Sequence, residues 1–299
     1  MEDGRPSQTA LLMAVLRAHH YLTASEPRIL DDHLAMPLAG LATPAEVSGF
    51  VERVLEYLGA NGPEAARAQI NDLTMALCAR SRLVEDQLAA SLDRGMRQLV
   101  VLGAGLDSLA WRRPDITQAM AIFEVDHPAT QAWKRGQIMA SGIGIPDNLR
   151  FVPFDFERQT LVEALAVGGV QADRVTFFSW LGVQPYLTDD AVMATLDAIT
   201  RFPVGSELVL DLVTADGSRE NDELTRRGLE WVASVGEPFK SAYAREAFTE
   251  RLERRGFGRI EMLGFPEWFA RHEERFDGRF SISPRPSILV SAQLVRGSH

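Results

Sequence analysis

The run Gln98-Leu99-Val100-Val101-Leu102 stops on Gly103-Ala104-Gly105, and a helix-like segment follows. An apolar run that ends in glycines and then turns helical reads as the first strand and loop of an open α/β sheet. Ligands meet such a sheet at the carboxyl ends of its strands. Gly103 can turn tightly, and Gly105 lacks the Cβ that would keep a ligand from the backbone. Ser108 stands where a G-x-G-x-x-G fingerprint has its third glycine, so the loop suits a nucleoside without phosphates better than a pyrophosphate. The next apolar run, residues 120–125, ends in Asp126, 21 residues after Gly105. An acid there accepts hydrogen bonds from ribose hydroxyls; the same acid could instead cap the helix that His127-Pro128 opens.

Further apolar runs fall at 150–154, 174–180 and 207–213, with helical patterns at 128–140, 158–167 and 188–201. That alternation predicts right-handed crossovers and a mostly parallel sheet. Residues 8–95 read as helices without a strand, 217–235 and 243–255 as further helices, and 257–263 and 287–295 as two late strands. The expectation is an α/β chain with a seven-stranded sheet that ends in an antiparallel hairpin. Its parts would be an N-terminal helical cover over 1–95, a cofactor-binding core over 96–215, and C-terminal helices with the closing strands over 216–299.

With 299 residues the chain can bury a substantial core. A net charge of −10 argues against a nucleic-acid partner. Cys78 is the single cysteine, so no internal disulfide can form. No apolar run approaches the roughly 20 residues of a membrane span. Residues 1–4 lack the basic and apolar regions of a signal peptide. A cytoplasmic protein is expected, with no membrane or nucleic-acid partner and with its oligomeric state open. Arg296-Gly297-Ser298-His299 reads as a remnant of a tag, outside the fold.

Several polar residues stand out against this pattern. Before the first strand, Leu73, Ala76, Leu77, Val84 and Leu88 form a helical stripe, and Arg80 projects into its middle while Arg82 projects away. A guanidinium on an inward face must meet an anion, either a protein carboxylate or the carboxylate of an amino-acid-like ligand. In Phe151-Val152-Pro153-Phe154-Asp155-Phe156, Asp155 could accept a bond from an adenine amino group with Phe154 or Phe156 beside the ring, or could cap the next helix. Trp180, near the end of the fourth strand, is a candidate for either core or pocket wall, and Tyr186 beyond it is the candidate for the acceptor pocket. The six histidines show no zinc spacing, so no metal site is expected; the charged segment Arg271-His272-Glu273-Glu274-Arg275 reads as a solvated loop.

Together these residues resemble the leucine carboxyl methyltransferase family. The resemblance is carried by Cys78-Ala79-Arg80-Ser81-Arg82, Val101-Leu102-Gly103-Ala104-Gly105-Leu106-Asp107, Glu124-Val125-Asp126-His127-Pro128 and Val152-Pro153-Phe154-Asp155, with an altered fifth segment at residues 180–187. It implies a class I, Rossmann-like methyltransferase that uses S-adenosylmethionine. Arg80 would hold the methionine carboxylate, with Gly103 and Gly105 beside the methionine moiety. Asp126 would bind the ribose and Asp155 the adenine, and Phe156 and Trp180 count among the cofactor-binding candidates. Leu181 replaces a glutamate common in the family, and Phe156-Glu157 replaces a Leu-Arg pair whose arginine can face a substrate carboxylate. The expected acceptor is a small molecule, methylated on a carboxylate oxygen in a metabolite or natural-product pathway. The alternatives are metal-assisted carbon methylation of an α-keto acid, an NAD(P)-dependent oxidoreductase, and a cofactor-binding protein without catalysis.

Overall fold

The seven apolar runs form one sheet in a computed structural model that describes residues 6–58, 63–215 and 223–296. Its strands are β1 (Gln98–Leu102), β2 (Ala121–Asp126), β3 (Leu149–Pro153), β4 (Phe177–Trp180), β5 (Glu207–Val213), β6 (Phe257–Gly264) and β7 (Ser287–Leu294), in the spatial order β3-β2-β1-β4-β5-β7-β6. The first five run parallel, and β7 lies antiparallel between β5 and β6. The late strands therefore pair as expected, but no tight turn joins them: residues 265–286 intervene, and a helix (Phe265–Arg271) fills part of that span. The order reverses between β1 and β4, which opens a crevice at their carboxyl ends.

Every residue of β1 is buried, because helices cover both faces of a parallel sheet. Val100 and Leu102 join one core cluster with Phe178, Trp180, Leu208 and Leu210; Leu99 and Val101 join the opposite cluster with Phe177 and Val209. The first cluster takes in the helices Leu161–Gly168, Asp189–Ile199 and Arg245–Arg254, and the second takes in Phe265–Arg271.

Among the described residues four helices precede the sheet: α1 (Gln8–Thr23), α2 (Ala35–Leu38), α3 (Pro44–Leu58) and α4 (Pro63–Asp93). A third cluster, with Leu16, Val47, Val51, Ile70 and Leu77, binds them to one another. The 31 residues of α4 make it about 46 Å long, so one helix serves two cores: Ile70 and Leu77 belong to the cover, Val84 and Leu88 to the sheet. Residues 223–234 are helical as expected; 216–222, at the start of that expected helix, lie outside the described residues. No helix among the described residues is long and apolar enough to cross a membrane.

Candidate functional site

A cavity of about 1170 Å³ lies between the cover and the carboxyl edge of the sheet. Arg80, Gly103, Gly105, Asp126, Asp155, Phe156 and Tyr186 all line it. Trp180 does not, which corrects its place among the cofactor-binding candidates. The indole is fully buried on the far face of the sheet, among Phe178, Leu210 and their neighbours, and the adjacent Ser179 lines the cavity instead. Successive side chains of a strand point to opposite faces, so the two residues cannot share the cavity.

The glycine loop is shaped by backbone conformation. Gly103 and Gly105 have φ of +66° and +51°, in the left-handed region that suits glycine. A Cβ on Gly103 would sit 2.1 Å from Val183 Cγ2, so this position yields space to a protein side chain. At Gly105 the nearest atom to such a Cβ, apart from chain neighbours, is Ala10 Cβ at 3.4 Å. The Gly105 N–H donates to Asp126 Oδ2, and the His127 N–H donates to Asp126 Oδ1 at 2.6 Å. Burial pushes the Asp126 carboxyl above its ordinary range, against these two donors. Asp126 is not the cap of the following helix (Pro128–Ala140); His127 is, accepting from the Ala129 N–H through Nδ1 at 3.3 Å. Each carboxylate oxygen of Asp126 keeps a second lone pair for a ligand hydroxyl.

Across the cavity, Arg80 Nη1 donates to Asp211 Oδ2 at 2.6 Å, and Asp211 Oδ1 accepts the Gly182 N–H at 2.5 Å. The protein partner foreseen for Arg80 therefore exists, and the guanidinium also faces the cavity. Gly182, at φ +70°, makes room for Arg80 itself: its Cβ would lie 2.8 Å from Nη2. Asp211 went unnoticed in the sequence, although an acid inside the buried run Leu208–Val213 is the same kind of signal that exposed Arg80.

At the third strand end, Asp155 Oδ1 accepts the Glu157 N–H at 3.0 Å, and Phe156 packs edge-on against Phe154 with centroids 4.8 Å apart. Arg158 is 81% exposed and lies 3.7 Å from Asp155, while Glu157 pairs with Lys240. Neither supplies a buried cation for a substrate carboxylate. The Tyr186 ring packs edge-on against Phe239 at 5.1 Å, and burial pushes its phenol up to about 12.

Two polar clusters tie the cover to this wall. Arg17 on α1 donates to Asp32 at 2.8 Å and to the Leu106 carbonyl, in the glycine loop, at 2.7 Å. Asp32 also accepts from Ser108 at 2.6 Å; burial opposes its charge, but Arg17 and Arg112 outweigh it and hold the carboxyl below the usual range. In the second cluster Glu237 accepts the Gln8 and Thr9 N–H groups at 2.9 and 3.1 Å, together with the hydroxyls of Ser7 and Thr9. An anion at the first turn of a helix also meets the positive end of its dipole. Sequence reading missed both clusters, because their members are distant in the chain.

The segment 271–275 is solvated as expected, with every residue but His272 exposed, and its side chains make surface contacts. Arg271 pairs with Glu261 and Arg275 with Asp86, while His272 stacks on Trp268 at 4.3 Å and its Nδ1 lies 2.7 Å from the Trp268 carbonyl oxygen. Among the described residues no three His, Cys, Asp or Glu side chains come together as metal ligands.

Comparison with known proteins agrees with this architecture. The model of the leucine carboxyl methyltransferase family matches residues 10–200. YktD of Bacillus subtilis (strain 168), designated a candidate S-adenosyl-L-methionine-dependent methyltransferase, is 33% identical over 275 residues, 86% of this chain and 88% of that protein. A protein of Mycobacterium tuberculosis (strain H37Rv) with the same designation is 27% identical over 301 residues, 95% of this chain and 93% of that one. Among solved structures, a candidate methyltransferase from Thermobifida fusca shares the fold with a TM-score of 0.56 at 14% identity, covering 99% of this chain and 97% of that one. The chain belongs to the leucine carboxyl methyltransferase family and is an S-adenosylmethionine-dependent methyltransferase.

Proposed function

We propose that this member of the leucine carboxyl methyltransferase family methylates a carboxylate oxygen of a small molecule held in the cavity beneath its helical cover. The observation that carries the reading is the state of the polar side chains on the cavity wall. Asp211 is bound to Arg80 and the Gly182 N–H, and Glu237 to the first turn of α1. Both oxygens of Asp126 accept backbone N–H groups, and His127 caps a helix. The Tyr186 phenol, pushed up to about 12, keeps its proton near neutral pH. Each of these acceptors is already engaged by the protein, which leaves them poorly placed to take a proton from a bound acceptor molecule. A carboxylate acceptor is already ionised near neutral pH and needs no base, whereas a phenol or a carbon acid does.

The residues present fit the adenosyl cofactor. Asp126 and Asp155 offer acceptors for the ribose and the adenine amino group, and Phe156 a flat apolar neighbour. Gly105 presents backbone without a Cβ, and Arg80 is a cation for the methionine carboxylate. When bound, S-adenosylmethionine supplies a methyl carbon on a sulfonium, open to in-line attack by an oxygen lone pair. The protein's part is positioning and the exclusion of water. Arg80, braced by Asp211, fixes one end of the site. Tyr186 donates a hydrogen bond toward the acceptor, and the clusters at Arg17 and Glu237 hold the cover against the sheet edge.

The test is to incubate the purified chain with S-adenosylmethionine and a panel of carboxylic acids, phenols and α-keto acids, and to identify products by mass spectrometry. Methyl esters are expected, with a rate that stays flat from about pH 6 to 9 because the acceptor needs no deprotonation. A product methylated on carbon, formed only with added divalent metal, would replace this reading with the α-keto acid alternative.

A further inference from the structure

The groups assigned above to the cofactor occupy one half of the cavity. The other half is walled by helices: Phe50, Val54 and Tyr57 from α3, Ile70 and Leu73 from α4, and Trp231 from the Glu223–Ser234 helix. A site for one drug-sized ligand occupies roughly 300–1,000 Å³, and this cavity, at about 1170 Å³, exceeds that range. Among the described residues this wall is mainly apolar; its polar side chains include Tyr57 and Arg53, both exposed, and Gln69. The Oε1 of Gln69 is buried with no hydrogen-bond partner. An unmet acceptor in apolar surroundings is unfavourable, so it marks a place where a ligand donor belongs.

Gln69 and Arg80 stand 11 positions apart on α4. At about 100° per residue they project within about 20° of each other, and at 1.5 Å per residue they lie about 16 Å apart along the axis. Leu73, Ala76 and Leu77 line the cavity between them. One helix face thus carries a cation at one end, an unsatisfied amide at the other, and only aliphatic side chains in the stretch that joins them.

Building on the carboxylate reading above, we infer that the helical lobe holds the body of the acceptor, and that this body is a long, mainly aliphatic chain carrying a hydroxyl or amide N–H that donates to Gln69, far from the carboxylate that is methylated. The carboxylate then lies toward Tyr186, at the end of α4 where Arg80 holds the cofactor, and the chain runs along the Leu73–Leu77 face of that helix. A short acid fills only the reacting end and leaves the apolar wall in water.

Calorimetry on the full chain saturated with S-adenosylhomocysteine tests this with three probes: acetate, dodecanoate and ω-hydroxydodecanoate. Both long acids are expected to bind at least about a hundredfold more tightly than acetate. The hydroxyl is expected to add about tenfold over dodecanoate. Gln69→Leu is expected to erase that tenfold preference while leaving S-adenosylhomocysteine affinity unchanged and without lowering the Tm, since it removes an unmet buried acceptor. Leu73→Trp, which fills the lobe, is expected to abolish binding of the long acids alone. Equal affinity for the three acids, or a hydroxyl preference that survives Gln69→Leu, overturns the inference. Methyl transfer separates it from the reading beneath it. Esters formed on acetate as readily as on dodecanoate leave carboxylate methylation standing and remove the lobe's role. Tight, Gln69-dependent binding of the long acid without ester formation does the reverse.

Discussion

Replacing Asp211 with leucine would leave the Arg80 guanidinium without its carboxylate and the Gly182 N–H without its acceptor, in a setting where the two charged side chains are 14% and 11% exposed. Removing one partner of a buried pair costs about 3–5 kcal/mol; the residual exposure places this pair near the lower end, about 3 kcal/mol. An unfolding entropy of about 2.1 cal/mol/K per residue sums to about 0.6 kcal/mol/K over this chain, so Tm should fall by about 5 °C. The double replacement Arg80→Met with Asp211→Leu puts apolar volume where the pair stood and should recover part of that loss, the remainder being the Gly182 N–H that still lacks its acceptor. Cofactor affinity should behave differently. If Arg80 binds the amino-acid carboxylate, the double variant loses about 1.5–3 kcal/mol of S-adenosylhomocysteine binding, about 10- to 150-fold in Kd. Differential scanning fluorimetry reads the first effect and titration calorimetry the second. Wild-type affinity in the double variant would refute the assignment of Arg80 to the cofactor, and an unchanged Tm in Asp211→Leu would refute the energetic argument.

Gly103→Ala should unfold at least a few degrees lower, since its Cβ meets Val183 Cγ2 at 2.1 Å at a φ of +66°; Val183→Ala in the same chain should recover part of the loss in a thermal melt. Tyr186→Phe should lower kcat/KM by about tenfold, the worth of one hydrogen bond, with S-adenosylhomocysteine affinity unchanged; a loss of cofactor affinity would move Tyr186 out of the acceptor pocket. Glu124, 2% exposed beside Lys134 Nζ at 2.6 Å, has its carboxyl raised to about 7 by burial, which outweighs Lys134. The unfolded chain ionises this group near its ordinary 4.5, and the folded chain only near 7. The folded state thus holds the extra proton in between, and its stability falls as pH rises through that window. Glu124→Gln should flatten the decline in Tm between about pH 5 and 7; an unaltered slope would show that other groups set it.

The strands and the acids at their ends were legible because both follow from local pattern. A run such as Gln98–Leu102 can be buried only as an inner parallel strand, and an acid that ends such a run, as Asp126 does, sits at the ligand edge. Arg80 was legible from helical phase, since a charge within an apolar stripe is conspicuous. Trp180 was not: all four residues of β4 are buried, so alternation carries no information about which face holds the cavity. His127 took the cap for which Asp126 was the alternative candidate, because an imidazole nitrogen can accept the Ala129 N–H one position later. Asp32 with Ser108 and Glu237 with Thr9 were beyond reach for another reason. Each pair is brought together by the whole fold, and neither partner breaks its own local pattern.

The clasp between Glu237 and the opening turn of α1 has a mechanical consequence. A single carboxylate grips both the backbone and the hydroxyls of residues 7–9, so the start of the chain and the segment that follows the Glu223–Ser234 helix behave as the two leaves of one door. Neither leaf swings alone without stripping the Glu237 side chain of these donors. Trimming the chain back past Thr9 would remove these donors together and part the segment after the Glu223–Ser234 helix from α1.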